Sequence, residues 1–404
     1  MKKTILFVDD EPNILQGLRR MLQPLRNEWE MTFVDSGEKA LQLLSQSRFD
    51  TIVSDVRMPG MDGVKLFSEV MRRYPEMIRI FLSGQCDVET TLKSVKIAHQ
   101  FLSKPCDPEA LKTIITRASV LRELLNSDAL KKLVTGMTSL PSVPSLFSEL
   151  MEELKSPNAR TSRLADIIAK DVAMTAKILQ LVNSAFFGLP QRITDLQRAV
   201  AYLGFETIHT LALSLGIFSQ FDAKRQKHIS LQELWDHSLS TASLAQTIAR
   251  TQTSDQKAGN DAFVAGLLHD IGRLVLAANC VDAFSQAVAM AREQRISLWK
   301  AEYEVLKVTH AEIGAYLLGL WGLPDAIVES TAFHHCPNNW PGETFSTVTA
   351  VHIADALERQ KASPDTALPG AEFDLAYISR LGLADRLAEW KLQPEATLET
   401  GETQ

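Results

Sequence analysis

The chain has 404 residues, enough for two or three domains at about 150 residues each. Hydrophobic residues make up 45% and charged residues 23%, with mean hydropathy −0.04, which excludes a disordered or fibrous chain and leaves no apolar run long enough to span a membrane. The net charge is −7 and no Lys/Arg block occurs, so a protein whose main work is gripping a phosphate backbone is disfavoured, DNA binding included.

At the N-terminus only Ile5-Leu6-Phe7-Val8 separate a basic start from Asp9-Asp10-Glu11. That is too short for a signal peptide, and a cytoplasmic location is expected. Cys86, Cys106, Cys280 and Cys336 form no CxxC pair and are then expected as thiols. Short apolar runs at Ile5–Val8, Met31–Val34, Thr51–Ser54, Arg79–Ser83 and Gln100–Ser103 read as strands. Helical periodicity marks Asn13–Leu25, Glu38–Ser45, Val64–Tyr74 and Val88–His99 between them, and Pro108–Leu125 after them, capped by Asp107. Strands alternating with helices of about ten residues predict parallel crossovers, hence an α/β doubly wound sheet of flavodoxin-like order.

A helix over Leu121–Thr135 is expected to join the two halves, with Gly136, Pro141 and Pro144 at the boundary. From Ser142 to Glu358 the strand signal vanishes and helices follow one another, predicting an all-α second half. Expected limits are 1–122 for the first domain, 123–138 for a linker helix and 139–336 for the helical domain. A helical extension with a polar, disordered tail is expected over 337–404.

In a doubly wound sheet, ligands sit at the carboxyl ends of the strands. Asp9 and Asp10 follow the first strand and Asp55 ends the third. Three carboxylates in one crevice call for a cation, and a small set of hard oxygen ligands suits Mg²⁺. Ser83 ends strand four and Lys104-Pro105 follows strand five, adding a hydroxyl and an ammonium suited to a phosphoryl group.

Residues 4–125 resemble the receiver domain of two-component response regulators. The likeness rests on Val8-Asp9-Asp10-Glu11, on Asp55-Val56-Arg57-Met58-Pro59-Gly60-Met61-Asp62-Gly63, on Leu82-Ser83-Gly84 and on Lys104-Pro105. The resemblance implies phosphorylation of Asp55 by a sensor histidine kinase in a phosphorelay. It implies Mg²⁺ held by Asp9, Asp10, Asp55 and the Val56 carbonyl, phosphoryl contacts from Ser83 and Lys104, an aromatic switch at Phe101, and a cis Lys104–Pro105 bond.

In the helical half, His237, His269-Asp270, His310, His334-His335 and Asp355 stand out, and Glu233 lies four residues before His237 on the same helix face. Imidazoles and carboxylates spread over several helices are how bundles build metal centres in their cores. An Asp beside a His can bridge two ions about 3.5–4 Å apart, an arrangement suited to activating water against a phosphoester.

This half resembles the HDOD domain, an HD-related signalling output module. The matching residues are Leu140-Pro141-Ser142-Val143-Pro144, Asp171-Val172-Ala173-Met174-Thr175, Leu181 to Gly188 and Ala199–Gly204. The order of His and Asp residues also resembles the ligands of HD phosphohydrolases, including the HD-GYP cyclic-di-GMP phosphodiesterases. That likeness implies up to two divalent ions, Fe, Mn or another, on His237, His269, Asp270, His310, His334, His335 and Asp355, and spacing adds Glu233 as a further candidate ligand. Arg273 stands where those enzymes carry a lysine that contacts substrate, and Pro337-Asn338-Asn339-Trp340-Pro341-Gly342 replaces the Gly-Tyr-Pro signature.

Two outputs therefore stay open. One is a module that acts through protein contacts with a downstream signalling partner or a second subunit. The other is a metal-dependent phosphohydrolase acting on a nucleotide or cyclic dinucleotide.

Overall fold

The computed structural model describes residues 2–83, 97–104, 109, 111–116, 134–135, 140–142, 149–150, 152–154, 156, 159–183, 192–214, 218–220, 231–253, 255–361 and 372–392. Five strands, β1 (Lys3–Val8), β2 (Trp29–Val34), β3 (Thr51–Asp55), β4 (Ile78–Ser83) and β5 (Gln100–Ser103), form one sheet in the order β2-β1-β3-β4-β5. Every neighbouring pair is parallel, and this is the doubly wound flavodoxin-like arrangement. Ile5 to Val8 are all buried, as are Ile52, Val53, Ile80 and Phe81, because helices cover both faces of a parallel sheet.

Among the described residues, three α-helices are set between these strands: α1 (Pro12–Leu22), α2 (Gly37–Leu44) and α3 (Gly63–Arg73). Pro12 opens α1, where its missing N–H costs nothing. Ser36 caps α2 by accepting from Lys39 N, and Asp62 caps α3 by accepting from Lys65 N at 2.7 Å. Gly63 is required at the head of α3, since a Cβ there would lie 2.1 Å from the Asp55 carbonyl oxygen. The expected helix over Val88–His99 and the junction helix over Leu121–Thr135 lie largely outside the described residues, and the polar tail lies wholly outside them.

The second half is helical with one correction. Leu140–Ser142 and Phe218–Gln220 pair as two short parallel strands, β6 and β7. Three-residue strands are too short to leave an alternating pattern in sequence. Helices Leu231–Thr253, Gln256–Leu268, Asp325–Phe333 and Thr347–Lys361 pack on one another, and Ile271–Asn279 packs on His310–Leu320. Gly272 permits that last approach, since a Cβ at this position would sit 1.9 Å from the His310 carbonyl oxygen.

A buried seam joins the two halves. Arg79, at the start of β4, donates to the carbonyls of Ile97, Met77 and Thr135, and its Nη2 lies 3.0 Å from His99 Nε2. The Thr135 hydroxyl is 3.0 Å from the Tyr316 hydroxyl, and Gln100 Nε2 donates to Gly319 O at 3.3 Å. Tyr316 and Gly319 belong to the same helix as His310. Nearby, the buried Lys177 ammonium donates to Gln180 Oε1 and lies 3.9 Å from the centre of the Trp321 ring.

Candidate functional site

The sheet brings Asp9, Asp10 and Asp55 together, with one carboxylate oxygen of each within 4.8 Å of the others. Lys104 Nζ reaches Asp9 Oδ2 at 2.7 Å and Asp55 Oδ2 at 2.8 Å, and Val56 N donates to Asp55 Oδ1 at 2.7 Å. Burial raises the pKa of Asp9 despite the opposing hydrogen bonds from Lys104 and Glu11 N. Burial alone would lower Lys104, but its bonds to Asp55 and Asp9 outweigh this and raise it. The Val56 carbonyl accepts from Gly63 N at 2.9 Å and keeps a second lone pair. Ser83 ends β4 in register with Ser103, one residue before Lys104, and Phe101 pairs with Phe81. The side chains of Ser83 and Phe101, and all of Pro105, lie outside the described residues. Three hard carboxylates with one exposed edge are a donor set that fits Mg²⁺.

In the helical half, two groups of ligand atoms converge. Asp270, His310, His334 and His335 form one, and His237, His269 and Asp355 form the other, each with its donor atoms within 4.8 Å. Asp270 links them. Its Oδ1 is 3.1 Å from His310 Nε2 and 3.7 Å from His334 Nε2, and its Oδ2 is 3.3 Å from His269 Nε2 and 3.8 Å from His237 Nε2. Asp355 Oδ1 is 2.9 Å from His237 Nε2 and 3.4 Å from His269 Nε2.

The outer nitrogens fix the rings. His269 Nδ1 is bonded to Gly266 O at 2.6 Å, His334 Nδ1 to Thr331 O at 2.9 Å and His310 Nδ1 to Glu302 Oε2 at 2.6 Å. In a neutral imidazole whose Nδ1–H donates outward, the Nε2 lone pair faces the centre, which is how metal-binding histidines are held. His269 Nε2, Asp270 Oδ1, His334 Nε2, His335 Nδ1 and Asp355 Oδ2 are buried without a hydrogen bond. Buried polar atoms without partners are rare and point to something that satisfies them.

Burial holds His237 and His334 down at about 4, and His335 well below its usual range. His269 and His310 are the exceptions. Burial pushes both down, but Asp270 and Asp355 raise His269 to about 9, and Glu302 and Asp270 raise His310. Asp270 stays ionised against burial because Arg273, His269 and Arg359 surround it, and Asp355 does so because of Arg359 and His237.

Glu233 does not join these groups. It lies exposed on the Leu231–Thr253 helix, although it shares a face with His237 by spacing. Two residues that sequence reasoning missed do join. Glu302 is fully buried and holds both the backbone N–H and Nδ1 of His310, and Arg359 spans the two aspartates. Arg359 carries one sequence signal, since it falls one helical turn after Asp355. Glu302 carries none. Arg273 reaches Asp270 Oδ2 at 3.0 Å, so it is placed at the centre itself.

A family model for the response regulator receiver domain matches residues 5–116, and one for the HDOD domain matches residues 140–337. The chain is a response regulator with an HDOD domain. Among curated relatives, an uncharacterised protein of Treponema pallidum is 29% identical over 223 residues, covering 54% of this chain and 42% of that protein. The hydrogenase transcriptional regulatory protein HoxA of Cupriavidus necator is 37% identical over 117 residues, 28% of this chain and 24% of its own length. This response regulator thus spans less than half the length of these two relatives.

Among solved structures, the MmoQ response regulator from Methylococcus capsulatus is similar over 63% of this chain and 98% of its own. It has 24% identity and a TM-score of 0.48. The receiver domain of an HD domain-containing protein from Pseudomonas fluorescens matches 30% of this chain and 96% of its own, at 32% identity and TM-score 0.29. The receiver domain implies phosphotransfer from a histidine kinase. Among the described residues, no helix is long and apolar enough to cross a membrane.

Proposed function

We propose that phosphorylation of Asp55 controls an HDOD domain whose His/Asp centre holds divalent metal and acts on phosphoesters. The observation that carries this reading is the outward tethering of His269, His310 and His334, which leaves their Nε2 atoms facing Asp270 in a buried site with unpartnered donors and acceptors. A divalent ion bound there would lower the pKa of water toward neutrality and polarise a phosphoryl oxygen. Asp270, His310, His334 and His335, with His237, His269 and Asp355, are the residues that would hold metal. Arg273 and Arg359 would orient an anionic substrate of the nucleotide class.

In the receiver, Asp9, Asp10, Asp55 and the Val56 carbonyl would hold Mg²⁺, with Lys104 and Ser83 against the phosphoryl group. The route between the two sites would run through the seam, because Tyr316 at the seam and His310 at the centre share one helix. A second reading, output through protein contacts with a partner or another copy, is favoured by Arg273 and Arg359, which offset the aspartates without any ion.

Metal analysis of the purified full chain separates the readings. The metal reading expects at least one tightly held equivalent of a transition ion that Asp270→Ala removes. Equal, negligible metal in both proteins would overturn it and leave the protein-contact output. With metal bound, phosphoesterase activity that depends on Asp270 would complete the assignment.

A further inference from the structure

The two ligand groups at the centre are not equivalent, and the difference lies in one arginine. Every arginine contact to the aspartates falls on the same side. Arg359 Nη2 is 3.0 Å from Asp270 Oδ2, and its Nε donates to Asp355 Oδ1 at 2.7 Å. Arg273 Nη1 also meets Asp270 Oδ2, at 3.0 Å. These are the carboxylate oxygens that face His237 and His269. On the other side, Asp270 Oδ1 meets only imidazoles, and it and His334 Nε2 carry no hydrogen bond.

The two arginines are not equal either. Arg273 touches one aspartate among the described contacts, whereas Arg359 bridges both and lies one turn beyond Asp355 on the Thr347–Lys361 helix. Its guanidinium therefore takes the two carboxylate oxygens nearest His237 and His269, beside which an ion among His237, His269 and Asp355 would sit. A fixed cation and a divalent ion on the same pair of oxygens, inside a buried site, repel strongly.

We infer that the centre takes a single divalent ion, on Asp270, His310, His334 and His335, and that Arg359 closes the second position. This rests on the metal reading above and narrows it. The test loads full-length protein with Mn²⁺ after chelator stripping, in an Asp9→Asn/Asp10→Asn background that silences the receiver pocket. Metal per chain is measured after desalting, with the melting transition as a check on folding.

One equivalent is expected with Arg359 present, retained in His237→Ala and lost in His334→Ala. Arg359→Ala should raise the content to two, and Arg359→Gln, which keeps the bulk without the charge, should do the same should the alanine variant not fold. Two equivalents with Arg359 present would overturn the inference, and so would one equivalent in both arginine variants. No metal at all would instead overturn the metal reading on which it stands.

Discussion

The acid cluster of the receiver and that of the HDOD domain solve the same electrostatic problem with different cations. In the receiver, Asp9 and Asp55 share one lysine, Lys104, with Asp10 beside them at the partly open end of the sheet. An ammonium on a four-carbon stem can follow a phosphoryl group and be displaced by Mg²⁺. In the HDOD domain, Asp270 and Asp355 are met by planar guanidinium groups held inside the fold. Arg359 is held by contacts to both aspartates at once. On the proposed reading, the first pocket would exchange its cation and the second would keep it. The seam between the domains is a third case, where Arg79 and Lys177 are buried with no carboxylate partner among the described residues.

The comparison breaks first at Asp55. If the receiver pocket is the reactive one, Asp55→Asn should abolish acyl-phosphate labelling by acetyl phosphate completely, because an amide is no nucleophile toward phosphorus. Chelation of Mg²⁺ should do the same to the unmodified chain. Persistent labelling of Asp55→Asn would move the phosphorylation site elsewhere.

The seam gives the next largest effect. Arg79→Met strands the carbonyls of Met77, Ile97 and Thr135 in a buried place, a loss of about 2–4 kcal/mol. Denaturant unfolding of the full chain measures it. A change below about 0.5 kcal/mol would show that water replaces the guanidinium there.

The HDOD centre is sharpened by Glu302, whose carboxylate holds His310 from behind at 2.6 Å. Removing such an outer partner costs about 10–100-fold in metal affinity. Glu302→Ala should show this loss in competition with a chelator, while Glu233→Ala, on an exposed position, should leave affinity unchanged. Equal affinity in all three proteins would mean that His310 is not a ligand.

These tests also mark what the sequence makes legible. Parallel strands announce themselves as apolar runs, because Ile5 to Val8 and Ile52-Val53 must be buried on both faces. Asp9, Asp55 and Lys104 follow from them, since strand ends place side chains at one edge. His269-Asp270 and His334-His335 are legible because polar pairs inside apolar helices demand partners. Glu233 misleads for the opposite reason. Helical spacing gives the face it shares with His237 but not how the helix is rotated against its neighbours. Glu302 and Arg359 sit among other charged residues and look like solvated helix faces, so only packing shows that they turn inward. The β6–β7 pair is likewise set by tertiary contact and not by pattern.

The last expected effect, one seen only as a pH dependence, concerns Lys177, the sharpest contrast to Lys104. Both are lysines in the interior, but Lys104 meets two carboxylates and is raised, whereas Lys177 meets an amide and an indole. Burial pushes Lys177 down from its ordinary 10.5 to about 7. Below pH 7 both folded and unfolded chains carry its proton, and the full cost of burying the charge is present. Between about pH 7 and 10.5 the unfolded chain binds the proton and the folded chain does not. Stability therefore rises with pH through this window, by at most about 1.4 kcal/mol per unit from this group. Other groups titrate over the same range, so the informative quantity is the difference from Lys177→Met, which keeps the stem over Trp321 and removes the charge. That variant should be the more stable at pH 7 and lose its advantage as pH rises toward 10. A constant difference across the window would show that Lys177 stays charged over the Trp321 ring, with the indole face supplying what a carboxylate supplies to Lys104.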